Sequence, residues 1–416
     1  MFNKLHDAYP SLYGKSYSES DMDARYSRLV EEHKRLFGKS EPMIFSAAGR
    51  SEIAGNHTDH NLGKVIGATI NLDTIAAVSR RDDDKVIVAS EGFPSIEISL
   101  LDLDKKKEEE NDAISIIRGI SHAFKERGIK IGGWEANTST RVLKGSGLSS
   151  SAAFEVLIAG IFNNLFNDDK LDPVEIAKIG QYAENVYFGK PSGLLDQISS
   201  ASGGITVFDF KDKDKPIVKP LSVDFSDYGY LMVITDTRGN HADLTGEYSA
   251  IPEEMRSVAS FYGKKSLREV DSKAFFKDIA SIRESIKNDR AILRAYHFFK
   301  ENERVDAIEK ALREKDFNSF LSLVKESGNS SFRFLQNVFT VIDYKNQGLS
   351  VAIAISESIL NGEGAVRVHG GGFAGTIQAY VPKAKVDEYI KGMESIFSKG
   401  CSSIIEIRKL PVARIY

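Results

Sequence analysis

The sequence predicts an α+β protein in which strands and helices follow one another in mixed order. Three observations carry this: short β-branched runs after residue 43, helical apolar spacing over most of 251–339, and strand-like runs that return near the C-terminus. The first 40 residues are polar, and the apolar spacing over 21–36 predicts one amphipathic helix, so 1–40 is read as an N-terminal extension packed on the body. Residues 65–70, 74–79 and 86–90 predict strands, with Arg81-Asp82-Asp83-Asp84 as a turn. Helices follow at 111–127 and 150–166, around a strand at 134–142. Strands are predicted again at 205–210 and 230–235. Lysine and aspartate crowd 211–219 between them, which places a boundary between a first lobe, 41–210, and a second, 211–416. A helix at 350–360 and two strands at 364–369 and 376–381 complete the chain.

Composition narrows the class. A chain of 416 residues, 42% hydrophobic and 27% charged, is long enough for roughly two or three domains and a cleft between them. The net charge of -4 gives no basic footprint for nucleic acid, so no nucleic-acid partner is expected. An anionic ligand therefore needs a local, amide-rich pocket. Cys401 is the single cysteine, which excludes an intrachain disulfide and points to a reducing, cytoplasmic setting. No apolar run of about 18 residues occurs, and the N-terminus lacks the apolar core of a signal peptide, so no membrane partner is expected.

The strongest motif is Gly145-Ser146-Gly147-Leu148-Ser149-Ser150-Ser151, which runs into the helix predicted from residue 150. Its glycines let the backbone approach a polyphosphate, and its serines supply hydroxyls and a ligand for a hard cation. A Walker A loop is not present, because Gly38-Lys39-Ser40 has His33 where the first glycine belongs. The spacing Gly370-x-Gly372-x-x-Gly375 matches a dinucleotide fingerprint, yet it leads into a strand-like run instead of a helix. His57-x-Asp59-His60 is half of a hydrolase metal signature whose first histidine is replaced by Gly55. Polar side chains on a turn that clasp sugar hydroxyls are the other reading of that segment.

In order and spacing, Gly49-Arg50 with Gly55-Asn56-His57-Thr58-Asp59-His60-Asn61, the glycine-serine loop, and Gly370-Gly371-Gly372-Phe373-Ala374-Gly375 resemble the GHMP kinases. The first motif resembles the galactokinase signature within that superfamily, and the resemblance runs from about Arg25 to the C-terminus. It implies a two-lobed GHMP kinase fold with mixed β-sheets flanked by helices and an active site in the cleft between lobes. The implied activity is an ATP-dependent sugar 1-kinase, with galactose as the first choice of sugar. A related hexose or uronic acid such as galacturonate, or a non-catalytic sugar-sensing paralogue, is the alternative.

Site residues follow from the same resemblance. Residues Gly145 to Ser151 wrap the nucleotide phosphates, and Ser151 ligates Mg²⁺. Within the stretch 183–197, Glu184 matches the second Mg²⁺ ligand and Asp196 the catalytic aspartate. Arg50 would hold Asp196 ionised and stabilise the phosphoryl charge. Asn56, His57, Asp59, Gly193, Asp196 and Tyr248 match the sugar site. The chain departs from the family pattern at Asn56 (usually Glu), His60 (usually Tyr), Ser51-Glu52 (usually Val-Asn) and His369 (usually Thr). These departures place the identity of the sugar, more than the reaction class, in question.

Overall fold

A computed structural model describes residues 2–142, 147–239 and 244–416. Two sheets organise them. The strands are β1 (Met43–Ala54), β2 (Lys64–Arg80), β3 (Lys85–Ser90), β4 (Ile96–Ser99), β5 (Trp134–Thr140), β6 (Ile205–Asp209), β7 (Ile217–Leu221), β8 (Tyr230–Asp236), β9 (Ala365–Val368), β10 (Thr376–Pro382), β11 (Ser402–Ile405) and β12 (Ala413–Arg414). The first sheet has the order β12-β1-β2-β5-β3-β4, with β6 on β2 and β7 on β6. The second has the order β11-β8-β10-β9. The chain thus returns to the first sheet at its C-terminus, and β7 joins that sheet although it lies beyond residue 210.

The two strands expected at 65–70 and 74–79 are one. Strand β2 pairs with β6 through residues 64–68 and with β5 through residues 74–80, so one long strand serves two neighbours in turn. Along β1, side chains alternate between the faces of the sheet. Phe45 and Ala47 join the core beneath helices Ala113–Glu126, Ser150–Asn167, Pro173–Tyr182 and Leu195–Ser202. Ile44 faces the other way, onto the N-terminal extension.

That extension is two helices, Phe2–Tyr13 and Glu19–Phe37, and not one. Leu5, Tyr9, Leu12, Met22, Tyr26 and Leu29 bury their apolar faces on Ile44, Ile75 and Ala77. A buried ion pair fixes the docking: Arg25 Nη1 lies 2.5 Å from Asp73 Oδ1, and Asp73 Oδ2 also accepts from Ser46 Oγ at 2.6 Å. Burial opposes ionisation of Asp73, but Arg25 and Arg408 hold its carboxyl below the usual range.

The second sheet packs on helices Gly348–Leu360 and Val386–Phe397 through Val233, Leu349, Ile377, Tyr389 and Met393. A further core joins Ile53, Ile66 and Val207 of the first sheet to Met232, Ile234 and Tyr380 of the second and to the helices Asp289–Arg313 and Phe317–Ser330. The sequence motifs of both halves converge beside this junction. Among the described residues, no helix is long and apolar enough to cross a membrane.

Candidate active site

Asp196 stands in the first turn of the helix Leu195–Ser202, which turns its carboxylate toward β1 and the glycine-serine loop. The β1–β2 register shifts between Ala48, opposite Asp73, and Arg50, opposite Thr69, with the extra residues on β2. Arg50 Nε donates to Asp196 Oδ1 at 2.8 Å, and Nη2 of the same guanidinium lies 2.6 Å from that oxygen. Ser149 Oγ donates to Asp196 Oδ2 at 2.6 Å, and Arg50 Nη1 donates to the Gly147 carbonyl. Burial raises the carboxyl's affinity for a proton, but Arg50, Ser149 and Lys190 outweigh it and hold Asp196 below the usual carboxylate range. An ionised carboxylate therefore faces the loop.

Gly145 and Ser146 lie outside the described residues. Ser149, the residue before the helix Ser150–Asn167, takes a left-handed conformation with φ 58°, and its hydroxyl makes no capping bond. Because that hydroxyl serves Asp196, the first backbone N–H groups of an 18-residue helix are left without a side-chain cap. Such an end attracts an anion. Ser150 is half-buried and Ser151 exposed there, and among the described residues the Ser151 hydroxyl has no hydrogen-bond partner.

The turn after β1 carries the next group. The Asp59 side chain is 8% exposed, yet among the described residues no hydrogen-bond donor satisfies it, and His60 Nε2 lies 3.8 Å away. A nearly buried carboxylate in this state has strong unmet acceptor capacity. Gly193 makes room for it: a Cβ at that position would lie 2.0 Å from Asp59 Oδ2. Gly193→Ala should accordingly displace Asp59. If the carboxylate holds sugar hydroxyls, steady-state kinetics should show the KM for sugar rising about 10- to 100-fold, the size of a lost charged hydrogen bond, with little change in the KM for ATP.

Asn56, His57 and Tyr248 all reach the last glycine loop. Asn56 Nδ2 donates to Gly370 O at 2.7 Å, His57 Nε2 to Gly371 O at 2.9 Å, and the Tyr248 hydroxyl to Gly372 O at 2.9 Å. Burial, then the neighbouring His60, pushes His57 down to about 3, so its imidazole is the neutral Nε2–H tautomer. Asn56 is fully buried, and protein groups engage both ends of its amide. Nδ2 also donates to Glu52 Oε1 at 3.1 Å, and Oδ1 accepts from Asn337 Nδ2 at 2.8 Å and Ser331 Oγ at 3.2 Å. Protein groups thus engage the Asn56 amide at both ends, whereas the Asp59 carboxylate has no hydrogen-bond donor among the described residues.

Four of the departures from the family pattern form two contacting pairs. Glu52 accepts from Asn56 and is ion-paired with buried Arg367, whose Nη2 lies 2.7 Å from Oε1. Ser51 Oγ meets His369 Nε2 at 3.0 Å, and His369 Nδ1 meets Thr376 Oγ1 at 3.0 Å. Burial and the nearby Arg50 keep His369 neutral. At the fifth departure, the His60 ring stacks on that of His57 with centroids 5.8 Å apart.

Glu184 sits in a π-helical turn, Ala183–Phe188, a widened turn of the kind that often re-aims side chains at functional sites. Its Oε2 accepts from Ser192 Oγ at 2.6 Å and Gln197 Nε2 at 2.8 Å, while Oε1 pairs with Lys190 Nζ at 2.8 Å. The Lys190 side chain is 57% exposed, so the partner of Oε1 reaches solvent. Gln197 also donates to Glu155, a buried residue that the motifs leave out. Its position four residues after Ser151 on one helix was the only signal in the sequence. Equally silent were Glu301 and His297, which hold the turn after β1 through the Gly55 N–H at 3.1 Å and the Asn56 carbonyl at 2.9 Å.

An aspartate beside a guanidinium and an uncapped helix N-terminus meet here, with an unpartnered carboxylate on the turn after β1, and the comparisons with known proteins name a family. Residues 114–204 match the GHMP kinases N terminal domain, and residues 31–80 match the galactokinase galactose-binding signature. The fold is that of the GHMP kinases, and the chain is a phosphotransferase acting on a sugar hydroxyl. The chain is 30% identical over 375 residues to the galactokinase of Clostridium tetani, covering 90% of this chain and 92% of that one. It is 32% identical to the galactokinase of Glaesserella parasuis, covering 87% and 91%. The crystal structure of Lactococcus lactis galactokinase complexed with galactose matches with a TM-score of 0.79 at 25% identity, over 94% of this chain and 100% of that one. Mevalonate kinase of Methanococcus jannaschii shares the fold, with a TM-score of 0.63 at 15% identity over 89% and 99%. The chain belongs to the galactokinase family.

Proposed function

We propose that the chain transfers the γ-phosphoryl of ATP to the anomeric hydroxyl of galactose, giving galactose 1-phosphate and ADP. The Arg50–Asp196–Ser149 constellation carries this reading, together with the family. In the transfer, a bond forms between the anomeric oxygen and Pγ while the bond from Pγ to the β,γ-bridging oxygen breaks. The hydroxyl proton passes to Asp196, or Asp196 orients the hydroxyl and the proton leaves later. Arg50 keeps Asp196 ionised and offers positive charge where the phosphoryl group gathers negative charge. Asp59 accepts hydrogen bonds from the sugar, with Gly193 beside it and His57 and Tyr248 holding the glycine loop over it. Ser149, Leu148 and Gly147 line the phosphate end.

The residues at 151 and 184 fit a magnesium ion. A hydroxyl with no partner among the described residues and a carboxylate oxygen paired with the partly exposed Lys190 are the hard oxygen donors such an ion requires. Held by Ser151 and Glu184, such an ion would supply positive charge against the phosphates of the nucleotide. Ser151→Ala and Glu184→Gln should each raise the Mg²⁺ concentration for half-maximal rate, and the effects should not add. Unchanged Mg²⁺ dependence in both variants would move the metal elsewhere.

Two alternatives are open to the same assay. A sensor on this scaffold should have lost the catalytic pair or the serines, and both are intact. A uronate kinase should present a free donor to the C6 carboxylate, but the amide of Asn56 is already engaged and has Glu52 against it. ATP turnover with galactose, 6-deoxygalactose and galacturonate should show galactose preferred. A preference for galacturonate would overturn the galactose assignment, and no turnover with any sugar would favour the sensor. The lobe boundary is proposed between β7 and β8, and the single buried cysteine supports a cytoplasmic setting.

A further inference from the structure

We infer that Glu155 and Gln197 form a positioning bridge that sets the orientation of Glu184 for the metal, an inference that rests on the proposed role of Glu184. Gln197 Nε2 lies 2.9 Å from Glu155 Oε2 and 2.8 Å from Glu184 Oε2. Both contacts use the amide nitrogen, whose two hydrogens suit two carboxyl groups, while the Gln197 and Glu155 Oε1 atoms have no hydrogen-bond partner among the described residues. All three residues are buried: Gln197 is 0%, Glu155 1% and Glu184 3% exposed.

Two buried carboxylates this close to one amide are expensive to desolvate and repel each other when charged. A role confined to packing would be served by apolar side chains of similar size. The bridge instead ties three elements together at one point. Glu155 lies one turn below Ser151 on the helix Ser150–Asn167, on the same face. Gln197 follows Asp196 in the helix Leu195–Ser202, and Glu184 belongs to the π-helical turn. Gly180 leaves the space: a Cβ there would meet Glu155 Cβ at 3.2 Å and Gln197 Cγ at 3.3 Å.

The bridge also divides the labour of the Glu184 oxygens. Oε2 is pinned by Gln197 and Ser192, which stops rotation of the carboxylate and leaves Oε1 facing Lys190 and solvent. Groups that orient a metal ligand in this way typically change metal affinity about 10- to 100-fold when removed.

The test uses Glu155→Leu and Gln197→Met, which break the bridge from either side, and Glu155→Gln, which can still accept from Gln197. Mn²⁺ affinity is measured by calorimetry with a non-hydrolysable ATP analogue, and the KM for galactose is measured in parallel. The expected result is Mn²⁺ binding weakened about 10-fold or more by the first two variants, restoration by Glu155→Gln, and a galactose KM within about two-fold throughout. Two breaking variants that bind Mn²⁺ as the parent does, while Glu184→Gln loses it, would overturn the bridge and leave the metal reading standing. Parent-like Mn²⁺ binding by Glu184→Gln would overturn both. If Glu155→Leu does not fold, Gln197→Met against Glu155→Gln gives the same comparison.

Discussion

Asp196→Asn should remove most phosphoryl transfer, about 10²- to 10⁴-fold in kcat if proton transfer is what is lost, while the protein stays folded. The asparagine keeps the volume. Its oxygen can still accept from Arg50 Nε, and its nitrogen can donate to the Ser149 hydroxyl, which now acts as acceptor, so the two contacts survive the change. Charge and basicity are what disappear. ADP and sugar 1-phosphate formation, followed together, measure the loss, and circular dichroism confirms the fold. A variant that turned over at the parent rate would take Asp196 out of the chemistry. The pH profile gives a second arm. Asp196 is held below the ordinary carboxylate value, so the stability and the ionised form it provides are present above the unfolded value and lost as pH falls through the folded one. Arg50→Met removes the largest opposing charge and leaves burial to act, which moves the acid limb of kcat/KM to higher pH.

Most of the regular structure was legible because it follows from local pattern. The runs at 134–142, 205–210 and 376–381 fall on β5, β6 and β10, and the helix expected at 150–166 is Ser150–Asn167. Strand β1 was not, for a physical reason: Ser46, Arg50, Ser51 and Glu52 interrupt its apolar alternation, and each is buried by a partner distant in sequence. The helix Phe2–Tyr13 was hidden in the same way, since its tyrosines read as polar texture until Tyr26 and Ile44 cover them.

The motifs named the residues of the proposed site but not those that support them. Glycine spacing and an aspartate on a turn are local signals, whereas His297 on Asn56, Arg367 on Glu52 and Gln197 on Glu184 are contacts between elements. For that reason each departure from the family pattern looked like an isolated change in the sequence. In space, Ser51 answers His369 and Glu52 answers Asn56.

Asn56→Glu tests that last pairing and should destabilise the protein by about 3–5 kcal/mol, the range for an uncompensated buried charge. At this position the side chain is 0% exposed, and its Nδ2 donates to Glu52 Oε1 and to the Gly370 carbonyl. An ionised glutamate has no donor to offer either acceptor. It sets a second carboxylate against Glu52 where one arginine, Arg367, already serves the first. Restoring the usual family residue at 56 alone is therefore harmful, because the residue it pairs with has changed too. Glu52→Asn together with Asn56→Glu returns one carboxylate and one amide to the pair, with places exchanged, and should recover most of the lost stability. Urea unfolding followed through Trp134, the single tryptophan and fully buried, gives the double-mutant cycle. The expected coupling is favourable and larger than about 1 kcal/mol. Additive single effects would show that residues 52 and 56 vary independently. An Asn56→Glu variant as stable as the parent, with galactose more strongly preferred over galacturonate, would show that the side chain at 56 faces the sugar and that sugar choice is set there directly.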